Sequence, residues 1–189
     1  MDVQTLRPKG SMKPTHALHS SNWKHVTSSD SLRPDLQGVF FDKDKQSLVA
    51  TNGHLLLVMP VELSQSDVSA LINVEVFDKA ATHYTVTEAE TTAHYSGGKK
   101  ISHPNLAEQF PVYEQLLEGH KDPQAVQVMG MDVQQVAKLY SCLKPVSTDA
   151  QVPLKLFFNG HRKAVTFEWV KDSKVRGVVM PYLIEQHAP

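Results

Sequence analysis

Apolar and polar positions alternate in short runs along much of this chain, and polar turns separate the runs. Asp35-Leu-Gln-Gly-Val-Phe-Phe-Asp42 reads as a strand, Asp42-Lys-Asp-Lys-Gln46 as a polar turn, Ser47 to Thr51 as a second strand and His54 to Val61 as a third. These form a three-stranded meander. Its second turn, Thr51-Asn52-Gly53-His54, contains the pair that most readily takes the positive φ angles of a tight hairpin. Residues 73–77 alternate with period two, as do parts of 85–95. Ser96-Gly97-Gly98-Lys99 reads as a hairpin turn before a strand at Lys100 to His103. Phe110-Pro111 is extended and leads into a short helix toward Leu117, and Gly119 to Pro123 forms a break.

The last third changes period. Asp132 is a good N-cap, Val133, Val136, Tyr140 and Leu143 recur at helical spacing, and Pro145 follows, so one amphipathic helix is predicted over 132–144 with those four residues buried. Gln134, Lys138, Ser141 and Lys144 then form a polar, mildly basic outer face. Strands follow at 153–158, 164–169 and 175–180, with Asn159-Gly160 as the hairpin signal between the first two. A weaker helix is predicted over 15–31, where Ala17, Leu18, Trp23 and Val26 stand among Ser and His. The order helix then meander thus occurs twice, near 15–62 and near 131–184. Neither unit can close a core alone, so the two pair their sheets edge to edge and cover one shared face with both helices. The expected class is α+β: antiparallel sheets from two helix-plus-meander units, helices on one face, and a β insertion. The domain plan is a flexible arm over 1–14 and one domain over 15–189, with half-units at 15–65 and 125–186 joined by insertion and connection at 70–124.

Composition narrows the chemistry. With 189 residues, 41% hydrophobic and 21% charged, the chain can bury one sizeable core or two small ones that share a sheet. No run of about 18 apolar residues is present for a membrane span. The start, Met1-Asp2-Val3-Gln4-Thr5-Leu6-Arg7, lacks the apolar centre of a secretory signal, so a cytoplasmic location is expected. Nineteen basic against 20 acidic residues leave a net charge of −1, which argues against a tight autonomous DNA binder but leaves room for one weakly basic face. The single cysteine, Cys142, excludes an internal disulfide and a paired-cysteine zinc site, and its place in a helical stripe predicts a buried thiol. Among ten histidines, His16, His19 and His25 cluster, but no carboxylate or cysteine stands at supporting spacing for zinc. Ser96-Gly97-Gly98-Lys99-Lys100 lacks the spacing of a phosphate loop, and no nucleophile elbow or His-Glu-x-x-His pair occurs. A non-enzymatic protein without metal or cofactor is expected.

Four motifs, in order, resemble the bacterial DNA polymerase III beta subunit, the sliding clamp. That family has Arg-Pro-x-Leu-x-Gly-Val-x-Phe before a turn and then Val-Ala-Thr-Asp-Gly-His-Arg-Leu. Here Arg33-Pro34-Asp35-Leu36-Gln37-Gly38-Val39-Phe40 precedes Val49-Ala50-Thr51-Asn52-Gly53-His54-Leu55-Leu56. A family Phe-Pro-x-Tyr appears as Phe110-Pro111-Val112-Tyr113, and the family's terminal Val-Val-Met-Pro as Val178-Val179-Met180-Pro181. The resemblance implies a processivity or docking factor in DNA replication or repair. It implies an apolar pocket for short peptide motifs of polymerases and other partners, here Thr51, Gly53, His54, Leu56, Val178, Val179, Met180 and Pro181. It also implies a helical face toward the backbone of double-stranded DNA, read without sequence preference, for which the candidates are Lys24, Gln134, Lys138 and Lys144. Leu55 stands where the family has arginine, which makes the pocket rim less basic. Family members carry three clamp domains per chain and close as dimers, whereas this chain has material for one domain plus an insertion. A ring then needs several copies joined by sheet edges, and the short length suits a phage or mobile-element relative. The alternative is a β-rich structural or assembly protein whose edge strands pair between subunits.

Overall fold

The computed structural model describes residues 11–12, 22–61, 68–118, 129–147, 150–160 and 162–183. A seven-stranded antiparallel sheet organises them. From edge to edge it runs β10 (Leu154–Phe157), β11 (Val165–Trp169), β12 (Arg176–Val179), β4 (Leu55–Pro60), β3 (Ser47–Thr51), β2 (Gly38–Asp42) and β5 (Ala70–Asn73). The first meander supplies β2 to β4 and the second β10 to β12. They join where β12 pairs antiparallel with β4, in the register Val178 to Leu56 and Arg176 to Val58. The insertion builds a second sheet, in the order β1 (Ser11–Met12), β6 (Ala81–Val86), β7 (Glu90–Tyr95) and β8 (Lys100–Pro104). A two-stranded ribbon pairs β9 (Gly130–Met131) with β13 (Pro181–Tyr182).

Both faces of the large sheet are covered, which is why β3 and β4 are buried almost throughout and read as continuous apolar runs. On one face Leu48, Ala50, Leu57, Met59, Phe167 and Trp169 pack with Trp23 and with α2 (Val133–Leu143). Tyr84, Val86 and Ala93 of the small sheet join the same core. On the other face Val49, Leu56, Val58 and Val178 pack beneath Phe110, Tyr113 and Leu117, where the chain crosses the sheet and ends in the short α1 (Glu114–Leu117).

Four expectations change. The predicted helix over 15–31 is, in its described part, a 3-10 turn at Trp23–His25, and its earlier residues lie outside the described ones. Residues 73–77 do not form a strand. Asn73 ends β5, and its side chain accepts a hydrogen bond from Glu75 N, which caps a 3-10 turn at Val74–Val76. Within the predicted arm, Ser11 and Met12 pair with Thr85 and Tyr84; residues 1–10 and 13–14 lie outside the described residues, as do Gly119 to Pro123. The fourth change is the phase of α2. Its buried face is Gln135, Leu139, Cys142 and Leu143, while Val133, Val136 and Tyr140 are 77%, 41% and 49% exposed. Asp132 is the N-cap as predicted, accepting from Gln134 N at 2.8 Å.

Candidate functional site

The Thr51–His54 turn is built by side chains as much as by backbone. Gly53 has φ +88°, the left-handed region open to glycine at no steric cost. Asn52 Oδ1 accepts from both His54 N and Leu55 N at 2.9 Å, and Thr51 Oγ1 accepts from Gly53 N at 3.1 Å. Asn52 Nδ2 then donates to Gln135 Oε1 at 3.0 Å, and Gln135 Nε2 donates to Asp132 Oδ2 at 3.3 Å. The turn is thereby tied to the start of α2. Asn52 and Gln135 position this surface, and sequence reasoning missed their pairing because 83 residues separate them.

The terminal strand comes to the same place. Met180 N donates to His54 O at 2.8 Å, and Val179 lies opposite Leu55 in the β12–β4 register. Two segments separated by more than a hundred residues in sequence are therefore neighbours. Burial sorts the eight pocket candidates into two groups. Gly53, His54 and Met180 are exposed and Pro181 is half-buried, so these form the accessible surface. Thr51, Leu56, Val178 and Val179 are buried. Leu56 and Val178 lie under Phe110, Tyr113 and Leu117, and Val179 points into the opposite core, so these three side chains are shut off from solvent. Tyr182 and Leu183, which sequence reasoning left out, extend the exposed apolar surface past Pro181.

A cleft of about 620 Å³ opens further along the same β4–β12 pair, at the end away from the turn. Val58, Pro60 and Leu117 are its apolar surface, Glu114 and Glu118 stand on the α1 side, Lys45 and Lys174 come from strand turns, and Arg176 is the first residue of β12. Tyr113 forms part of its wall, with its hydroxyl donating to Asp42 Oδ2 at 2.8 Å. Burial, and next that hydrogen bond, push the Tyr113 pKa well above the ordinary phenol range, so it stays a neutral donor.

No protein-family model matches this sequence, and no curated protein matches it. Solved structures do. A DnaN sliding clamp from Bartonella birtlesii bound to griselimycin superposes with a TM-score of 0.66 at 10% identity, over 97% of this chain and 69% of that one. The DNA polymerase sliding clamp from Bacillus subtilis gives 0.67 at 11% identity, over 97% and 67%. The DNA polymerase III beta subunit from Thermotoga maritima gives 0.62 at 12%, over 97% and 68%. This chain has the sliding-clamp fold. The likeness spans about two-thirds of each clamp chain, and at this identity it speaks for fold and leaves the site to its own geometry.

In this clamp fold the candidates for a DNA-facing surface share the helical layer. Lys24 is exposed on the Trp23–His25 turn, which is tied to α2 by a hydrogen bond from Asn22 Nδ2 to Ser141 O at 2.6 Å. Gln134 is exposed and Lys138 half-buried on α2, and Lys144 is half-buried in the 3-10 turn that follows it. Val133, Val136 and Tyr140 interrupt this polar surface with an exposed apolar row. Among the described residues no group of three or more His, Cys, Asp or Glu side chains converges on a point. His83 and His94 stack with ring centroids 4.2 Å apart on the small sheet. His16 and His19 lie outside the described residues. No helix among the described residues is long and apolar enough to cross a membrane.

Proposed function

We propose that this chain is a non-enzymatic, sliding-clamp-like accessory protein of DNA replication or repair, acting in the cytoplasm. It receives short peptide motifs of polymerases or other replication and repair proteins where the Thr51–His54 turn meets the terminal strand. The observation that carries this reading is the convergence itself, Met180 N on His54 O at 2.8 Å. In the proposal Gly53, His54, Met180 and Pro181 make the contacts. Glycine allows close backbone approach, methionine adapts to an apolar side chain, and the imidazole supplies a polar rim. Thr51, Leu56, Val178 and Val179 act from beneath, holding the strands that present them.

Lys24, Gln134, Lys138 and Lys144 form the proposed contact with the DNA backbone. With three lysines and an apolar row between them, such contact is weak, blind to sequence and lost with salt. Self-association of copies through sheet edges completes the proposal. A β-rich assembly role is the second reading, favoured by the position of β10 at the edge of the large sheet.

Fluorescence anisotropy with a labelled clamp-binding peptide from a bacterial replicative polymerase tests the docking surface. Saturable binding is expected, and His54→Ala combined with Met180→Ala should weaken it at least roughly tenfold, the scale of a small hot spot. Absence of saturation, or equal binding by the double variant, refutes the reading.

A further inference from the structure

We infer that Asp132 and Gln135 are positioning residues of the docking surface, fixing from the start of α2 how the Thr51–His54 turn and the terminal strand are presented to a partner. The inference rests on the reading that partners dock there, and it adds what holds that surface in shape. Both halves of the surface are attached to the same end of α2. The turn is attached by side chains, Asn52 Nδ2 to Gln135 Oε1 at 3.0 Å and Gln135 Nε2 to Asp132 Oδ2 at 3.3 Å. The terminal strand is attached by backbone, because Met131, the residue before Asp132, pairs with Pro181, the residue after Met180. The hydrogen bond from Met180 N to His54 O then joins the two halves to each other. His54 is thus held by its N–H to Asn52 and by its carbonyl to Met180, so a shift of Asn52 moves both contact residues.

The direction of the side-chain relay is dictated from both ends. At one end the N–H groups of His54 and Leu55 both donate to Asn52 Oδ1, which leaves Nδ2, a donor, to face α2. At the other end the Asp132 carboxylate is acceptor-only: its Oδ1 caps Gln134 N, and its Oδ2 takes a donor. Gln135, buried between them, meets both demands because one planar amide carries an acceptor and a donor. An apolar side chain at 135 meets neither demand, and a carboxylate there meets one and repels Asp132. Burial of this glutamine, which shifts the inward face of α2 away from its apolar spacing, therefore has a purpose at the docking surface. A buried relay of this kind favours one arrangement, since any reversed link leaves two acceptors facing each other.

Reversing the relay in the full chain tests it. Asn52→Asp keeps an acceptor for His54 N and Leu55 N, and aspartate before glycine suits the hairpin equally, but an acceptor now faces α2. Gln135 must rotate its amide to meet it, which turns Oε1 toward the Asp132 carboxylate. Adding Asp132→Asn supplies a donor there while still capping the helix. Anisotropy with the labelled polymerase peptide should show binding weakened about three- to tenfold by Asn52→Asp and by Gln135→Met, which keeps the buried volume without the amide. The double variant should return to within about twofold of the natural chain. A mere effect of the new charge at 52 would persist in it. Amide hydrogen exchange at Met180 should quicken in both single variants and slow again in the double one, which reads the same geometry without peptide. Unchanged exchange in the single variants, or a double variant no better than Asn52→Asp alone, overturns the inference. If the natural chain binds the peptide and the variants bind it equally, the positioning role fails and the docking reading stands. If the exchange pattern appears in a chain that binds no peptide, the docking reading fails and the hold of α2 on the turn stands.

Discussion

Gly177 sits where the two half-units meet, opposite Leu57 on β4. A Cβ placed on it would come within 2.0 Å of Leu56 O and 2.6 Å of Phe167 Cζ. The carbonyl belongs to the paired backbone and cannot swing aside, so a methyl group must push β12 away from β4. Gly177→Ala is therefore expected to cost about 1–3 kcal/mol or more, read as a lower denaturant midpoint. Gly53→Ala meets no atom within 4 Å but must hold φ near +88°, so roughly 1 kcal/mol is expected there. If Gly177→Ala proves the milder of the two, the close strand approach is not what the junction depends on. At this scale the sequence shows Thr51-Asn52-Gly53-His54 as a turn because Asn-Gly favours hairpins locally. It does not show that the Asn52 side chain also reaches Gln135, since that contact exists only after the sheet and α2 have packed.

α2 shows where an element can be read and its orientation misread. Asp132 and Pro145 bracket the helix, so its limits were legible from capping and from the missing amide of proline. The apolar spacing of Val133, Val136, Tyr140 and Leu143 pointed to the wrong face because Gln135 counts as polar in any periodicity. With its amide satisfied by Asn52 and Asp132, Gln135 is buried, and Leu139, Cys142 and Leu143 follow it inward. Leu139→Ala should then destabilise by about 2–5 kcal/mol, the range for a core leucine. Val133→Gln and Val136→Gln should each stay within about 0.5 kcal/mol. Thermal or denaturant melts separate these outcomes, and a large loss at Val136 would return the helix to the orientation read from its spacing. Strands β3 and β4 were legible for the opposite reason, because burial on both faces leaves Leu48–Ala50 and Leu55–Met59 as uninterrupted apolar runs. Residues 73–77 misled because alternation alone does not register that Asn73 caps a turn with its own side chain.

For the whole molecule, the decisive fact is that β12 of the second unit pairs with β4 of the first, bringing together segments far apart in sequence. Motif order along the chain could indicate a clamp fold, but whether the two site segments meet depends on which strand edges join. That pairing also determines which edges are left. β5 ends one side of the large sheet and is covered by a bridge from Leu71 to Leu106. β10 ends the other side, and among the described strands its neighbour is β11. Its Leu156 is 42% exposed and lies opposite Phe167, hence on the α2 side of the sheet, the side that also exposes Val133, Val136 and Tyr140. Lys155, exposed on the other side of the strand, opposes random edge pairing without blocking a specific partner. Copies joined at β10 would extend the sheet and bury this apolar surface together. Light scattering after size-exclusion chromatography should then show a concentration-dependent oligomer, and Leu156→Lys should shift it toward monomer with the melting temperature nearly unchanged. A strictly monomeric species at high concentration would remove ring closure through β10 from the proposal. It would leave peptide docking at the turn untouched, since every residue of that surface comes from a single copy.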